Sequence, residues 1–471
     1  MVKPITHRVR AGIALLLAAT LTVQPAMAQS VLRDAETEAF FAEISEPLIK
    51  AAGLDPKNVE IILIQDSSIN AFVAGGQVVY IHSGLIEAAD SANEVQGVIA
   101  HELGHIEGGH AIRYNEGAGP ATGISIASLI LAAAAIAAGA GEAGAGILAA
   151  GQQVALSKFL AFTRVQESVA DASGARYLAA AGVTGKGSIS FFKKLQNNEY
   201  RLGISQEDSY GNTHPLSRER VAVLQDTYMA DAAWNTPPNP KFQLEFLRVK
   251  AKLSGYIADP NKTLKKYPES DKSIPARYAR AYAWHKAAYP QKAIDETKAL
   301  IAEAPDDPYF LELDGQILLE SGNPTDAIAP LRKAVRLTNN QPLIAASLGH
   351  ALVATEDKAN LAEAALVLKA AVNKDNQNPF AWYQLGVVYE QQGDTPRAAL
   401  ASAERYLMEG APQFALPNAQ VALAGLPEYS ADWLRAQDIN LVAQAQVEKL
   451  QKNKKKRRQL RTTLQASNPT K

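Results

Sequence analysis

Cysteine is absent from all 471 residues. That excludes disulfides, cysteine-bound zinc, thiol nucleophiles and a lipidated N-terminal cysteine. A surplus of either charge is also missing. The formal net charge is -1, so no global field argues for nucleic acid as a partner. Charge disappears locally as well, with no Asp, Glu, Lys or Arg between Gly117 and Gly141. The N-terminal apolar run, Ala11 to Val23, is too short to span a bilayer comfortably. Lys3, Arg8 and Arg10 precede it and Ala26-Met27-Ala28 follows, the layout of a secretory signal over residues 1–28. Removal after Ala28 in a bacterium with two membranes implies a periplasmic chain that is not a lipoprotein.

What the chain does contain is concentrated around Val98 to His110. His101-Glu102-Leu103-Gly104-His105 is an H-E-x-x-H pattern. On a helix, positions i and i+4 share a face, so two imidazoles can meet one metal ion. Glu102 follows the first histidine, where its carboxylate reaches the water such an ion activates without binding the ion itself. That is the general base of a zinc hydrolase. Ser91 and Glu94 have capping-box spacing, which starts the helix near Ala92. The pattern alone also fits a surface helix with two solvated histidines, so a third ligand decides.

His110 is not that ligand in the metzincin manner. Gly108 fits the metzincin extension, but the next required position holds Ala111, and His110 falls one residue short. His110 is therefore expected behind a ligand or in a purely structural role. Glu167 is the better third ligand. It lies one helical turn from Asp171 among small apolar residues, so the two carboxylates share a face. His101, His105 and Glu167 would leave an open position for water. Asp171 could accept a hydrogen bond from a ligand histidine and fix its tautomer.

Glu36 to Ala52 reads as an amphipathic helix, and Val59–Ile64 and Gln77–His82 as strands. A strand beside the metal helix can receive an extended substrate by β-addition. Residues 117–162 read as an apolar helical hairpin, either packed on the domain or touching a membrane or membrane-bound client. A proline-rich linker at 235–240 closes a first domain spanning 29–234. Pro308, Pro342 and Pro379 then open similar blocks. Trp382, Leu385, Gly386, Tyr389 and Ala398 sit at tetratricopeptide spacings, so 241–411 reads as a repeat solenoid with a concave docking face. Residues 412–471 read as a C-terminal helix and tail, basic at 452–461, able to touch anionic surfaces.

Taken together, Asn70-Ala71-Phe72, Gly84-Leu85-Ile86, His101 to His105, Glu167 to Asp171 and Thr213-His214-Pro215 with Arg220 resemble the BepA-type (YfgC-like) periplasmic metalloproteases. These are relatives of HtpX and the CAAX prenyl proteases that carry a tetratricopeptide tail. One departure is Glu167-Ser168-Val169-Ala170-Asp171, where the family often has a second acidic residue in the middle. The resemblance implies an α+β zincin-like domain, mostly helical with a small sheet, followed by an all-α solenoid. It implies one Zn2+ per chain on His101, His105 and Glu167, with Glu102 as catalytic base; Asp171 is expected with Glu102 among the catalytic residues and Arg220 in support. It also implies that His214 can reach the zinc, either as a latch in the fourth position or as an oxyanion stabiliser. The expected partners are unfolded or misassembled outer-membrane proteins and their assembly machinery. Two rivals stay open: a periplasmic chaperone or scaffold in which proteolysis is minor, and a zinc hydrolase acting on non-peptide bonds.

Overall fold

The computed structural model of the protein describes residues 30–137, 141–202, 214 and 218–466. The expected signal segment lies outside these residues, as does the turn-rich stretch Tyr210-Gly211-Asn212.

The chain opens with β1 (Ser30–Leu32) and α1 (Ala35–Ala51), followed by β2 (Glu60–Gln65), β3 (Ala71–Ala74) and β4 (Val78–His82). The strands form one sheet in the order β1-β2-β4-β3. β2 and β4 run parallel with Ile62 opposite Tyr80, and β3 pairs antiparallel to β4 with Phe72 opposite Tyr80. The β3–β4 turn uses Gly75 and Gly76, both at positive φ (65° and 104°). Two strands were expected and both are present. β1 and β3 are too short, at 3 and 4 residues, to show an alternating pattern. β3 is an edge strand, and it lies against the metal-motif helix.

That helix, α3 (Ala92–Glu107), begins where Ser91 predicts. The Ser91 hydroxyl accepts from the Glu94 amide at 3.2 Å. The Glu94 carboxylate turns back to the Asp90 amide at 2.7 Å, one residue before the cap. The helix is buried from Ala92 to His105. α2 (Ser83–Ala88) precedes it. α4 (His110–Ala137) and α5 (Gly141–Ala180) follow as long paired helices, then α6 (Lys186–Leu202) and α7 (Arg218–Met229). Ile126, Leu129, Ile130 and Leu131 on α4 and Val154, Leu156 and Leu160 on α5 are exposed. The segment Ala145–Ala180 is long and apolar enough to cross a membrane by length and composition.

α8 (Pro240–Ile257) is the joint of the molecule. Phe246, Val249 and Leu253 enter the same core as Phe41, Ile44, Leu48, Val79, Ile81, Ile99 and Leu103. Its other face packs on α10 (Ile274–Lys286), beyond the short α9 (Pro260–Lys266). Arg248 bridges Glu36 and Asp307, both at 2.7 Å, and Tyr278 donates to Glu36 at 2.6 Å.

From α10 onward the chain is a stack of paired helices. These are α10 with α11 (Pro290–Glu303), α12 (Pro308–Glu320) with α13 (Pro324–Leu337), α14 (Pro342–Ala354) with α15 (Leu361–Lys374), and α16 (Pro379–Gln391) with α17 (Thr395–Met408). Proline opens most of these helices in the first turn, where its missing N–H costs nothing. Ala293, Ala327, Ala364 and Ala398 are buried, the small positions that let each pair close. α18 (Pro412–Gly425) and α19 (Ala431–Ala466) end the described chain.

Candidate metal centre

His101 and His105 lie one turn apart on α3, and the cap at Ser91 sets the phase that turns both toward α5. Whether α5 can bring Glu167 to them depends on two glycines. A Cβ at Gly104 would lie 2.7 Å from the Ala170 carbonyl oxygen, and one at Gly174 would lie 3.1 Å from the Ala100 backbone. The two helices therefore touch backbone to backbone, and Glu167 and Asp171 face the histidines directly.

Four side chains converge. His101 Nε2 is 3.1 Å from His105 Nε2 and 3.4 Å from Glu167 Oε2. His105 Nε2 is 3.4 Å from Glu167 Oε1. His214 brings Nδ1 to 3.0 Å from Glu167 Oε1 and 3.3 Å from His101 Nε2. One donor atom from each of the four lies within 4.8 Å of the others, and all four residues are buried. Glu102 is fully buried, and among the described residues neither of its carboxylate oxygens has a hydrogen-bond partner. Its nearest basic neighbour is His214 Nε2 at 3.6 Å.

A second ring of contacts orients the first. Asp171 Oδ1 sits 2.9 Å from His101 Nδ1. Arg220 on α7 reaches Asp171 through Nε at 2.6 Å and Glu167 through Nη1 at 3.1 Å. His110 Nδ1 is 2.8 Å from His105 Nδ1. The Nε2 of His214 is 3.3 Å from the Ala71 carbonyl oxygen on edge strand β3, which sequence reasoning missed because a main-chain acceptor leaves no mark in side-chain identity.

The charge balance shows that these residues fit a cation. Burial pulls the His101 pKa down, yet Asp171 and Glu167 lift it to about 10. Burial pushes Glu167 up, but His214, His101 and His105 hold it below the ordinary carboxylate range. Asp171 is likewise held low against burial by His101 and Arg220. Burial lowers His105, and burial with His105 beside it lowers His110 to about 4. Among the described residues, the buried carboxylates Glu102, Glu167 and Asp171 thus lie together, and Arg220 pairs with Asp171 and Glu167. A pocket that draws a proton onto His101 to balance its charge is one that a divalent ion would occupy, releasing that proton. The buried Glu102 carboxylate lies beside it, 3.6 Å from His214 Nε2.

A four-strand sheet with a buried H-E-x-x-H helix and a carboxylate facing it from a second helix is an arrangement suited to a metallopeptidase site. Residues 12–228 match the model of Peptidase family M48. It is similar to the Beta-barrel assembly-enhancing protease of Yersinia pestis, at 28% identity over 74% of this chain and 71% of that one. A Vibrio cholerae relative that carries the same description provisionally is 27% identical over 60% of this chain and 59% of its own. The chain thus spans well under the full length of both. Among solved structures, YrrB, described as a TPR protein with an unusual peptide-binding site, matches 38% of this chain and 94% of its own at 19% identity and a TM-score of 0.31. The solenoid assignment rests on the helix pairs themselves.

Proposed function

We propose that the protein is a periplasmic zinc-dependent endopeptidase acting on outer-membrane β-barrel proteins during their assembly and quality control. The observation that carries this reading is the convergence of His101, His105 and Glu167 beside a fully buried Glu102. In this reading those three residues hold the zinc, which suits two imidazoles and one carboxylate. When bound, the zinc supplies Lewis acidity, polarising the scissile carbonyl and making water easier to deprotonate. Everything else belongs to the chain. Glu102 takes a proton from the attacking water as its oxygen bonds to the carbonyl carbon. It delivers that proton to the amine nitrogen as the C–N bond breaks. Edge strand β3 offers main-chain groups to an extended substrate. Asp171 and Arg220 keep His101 and Glu167 oriented.

His214 is read as a latch. Its Nε2–H donates to the Ala71 carbonyl, which leaves the Nδ1 lone pair aimed at the metal donors. One imidazole therefore covers both the fourth position and an acceptor on the substrate strand. The descriptions of the Yersinia and Vibrio relatives support the client class, and the stacked helix pairs support docking of extended client segments. The exposed hairpin of α4 and α5 offers apolar contact to such clients or to a membrane surface. The test is cleavage of an unfolded outer-membrane β-barrel by the purified full chain before chelation, after chelation and after zinc is returned. Loss and recovery support the reading, whereas activity indifferent to chelation sinks it.

A further inference from the structure

We infer that His110 is a positioning residue for His105: it accepts the proton on His105 Nδ1 and so holds the Nε2 lone pair of that imidazole toward the metal donors. The inference rests on the reading that His105 is a metal ligand, and it assigns a role that the H-E-x-x-H pattern does not contain. The two Nδ1 atoms are 2.8 Å apart, with ring centroids 4.9 Å apart and planes at 75°. At that distance one proton lies between the nitrogens. His105 Nε2 faces His101 and Glu167, where only a lone pair is useful, so the proton sits on His105 Nδ1 and His110 receives it. His110 is then the tautomer protonated on Nε2. Both side chains are buried, so water does not replace the contact.

The backbone is built to make this contact. α3 stops at Gly108, Gly109 takes a left-handed φ of 60°, and His110 opens α4. That reversal folds the side chain of the new helix back onto the last turn of the old one. A Cβ at Gly108 would lie 2.3 Å from His110 Nε2, so the ring occupies space that only glycine leaves open. The Gly108-Gly109-His110 run, which in sequence resembles a metzincin extension one residue short, supplies an acceptor behind the ligand. The two ligand histidines are thus held differently. His101 leans on a charged partner, Asp171, at 2.9 Å, whereas His105 leans on a neutral one. A neutral acceptor fixes ring orientation without adding a further buried negative charge to three carboxylates.

The test uses the full chain loaded with Zn2+ or Co2+, titrated with a chelator, and compares His110→Ala, His110→Asn, Gly108→Ala and His105→Ala. In His110→Asn the amide oxygen takes the place of Nδ1 as acceptor. Loss of the partner should weaken metal binding by roughly 10–100-fold in His110→Ala and alter the visible spectrum of the cobalt form. His110→Asn should recover most of both. Gly108→Ala should fall between, because it displaces the ring without removing it. His105→Ala should hold no metal at this site. Wild-type metal retention by His110→Ala overturns the proposal, as does equal loss in the Ala and Asn variants, which would mark the ring as mere packing. Metal retention by His105→Ala overturns the ligand assignment and the proposal with it.

Discussion

His101 Nδ1 lies 2.9 Å from Oδ1 of Asp171, one helical turn beyond Glu167 on α5. In the proposed site a single helix therefore supplies both a candidate metal donor and the carboxylate beside another. Arg220 ties the two carboxylates together, 2.6 Å from Asp171 and 3.1 Å from Glu167. Asp171→Ala should reduce metal affinity by roughly 10–100-fold while leaving the other donors in place. Arg220→Ala strands two buried carboxylates and should cost roughly 3–5 kcal/mol of stability in the metal-free protein. Chelator titration reads the first effect and denaturant unfolding the second. Little change in either would show that the contacts do not act as described.

His214 touches Glu167 and the Ala71 carbonyl together, so removing it uncovers two features at once. As a latch, His214→Ala should raise the rate of cleavage of an unfolded substrate and increase self-cleavage. As an oxyanion donor, the same change should slow hydrolysis by about 100-fold. Initial rates on one fluorescent unfolded substrate separate the outcomes, and a 100-fold loss would reject the latch.

Composition places a domain boundary at residues 235–240, yet α8 beyond it carries Phe246, Val249 and Leu253 into the first core. Deleting residues 241–471 should therefore yield an unstable product rather than a free catalytic core. Removing three such side chains from a packed interior costs several kcal/mol, on the order of the stability of a whole domain. Far-ultraviolet circular dichroism through a thermal ramp checks this. A cooperative transition matching that of the full chain would refute it.

Glu312 lies on the inner face of α12, where the solenoid meets the start of α1. Its Oε2 is buried without a hydrogen-bond partner among the described residues. Burial raises its pKa to about 8; Lys252 opposes the rise, and Asp34 and Glu36 add to it. The folded state therefore prefers the protonated acid. Its contribution is fully present below the ordinary carboxylate range and is lost as pH rises through about 8. Glu312→Gln should flatten that decline and stabilise the protein above pH 8 by an amount on the order of a few kcal/mol. Unfolding midpoints from pH 5 to 9 test it, and parallel curves for the two proteins would contradict it.

The convergence of His101, His105 and Glu167 could be read because its spacing is written in one dimension. His101 and His105 share a helical face, as do Glu167 and Asp171, and the small residues around both pairs announce close helix packing. The repeat helices were equally plain, since Pro308, Pro342 and Pro379 mark their starts. What escaped was carried by the main chain or by distance. β3 is too short for a period, and the Ala71 carbonyl has no side-chain signature. Gly108-Gly109-His110 gains meaning only when a φ of 60° at Gly109 returns the ring to His105. The place of α8 in the first core was hidden because an amphipathic helix does not reveal which neighbour covers its apolar face.

The central claim is that a metal held by His101, His105 and Glu167 works with a base that does not bind it. Metal content and hydrolysis of an unfolded outer-membrane protein, measured together on the wild type and Glu102→Gln, test it most directly. The account predicts about one zinc per chain in both proteins, with hydrolysis abolished only in Glu102→Gln. Loss of zinc along with activity in Glu102→Gln, or full activity without Glu102, would contradict it.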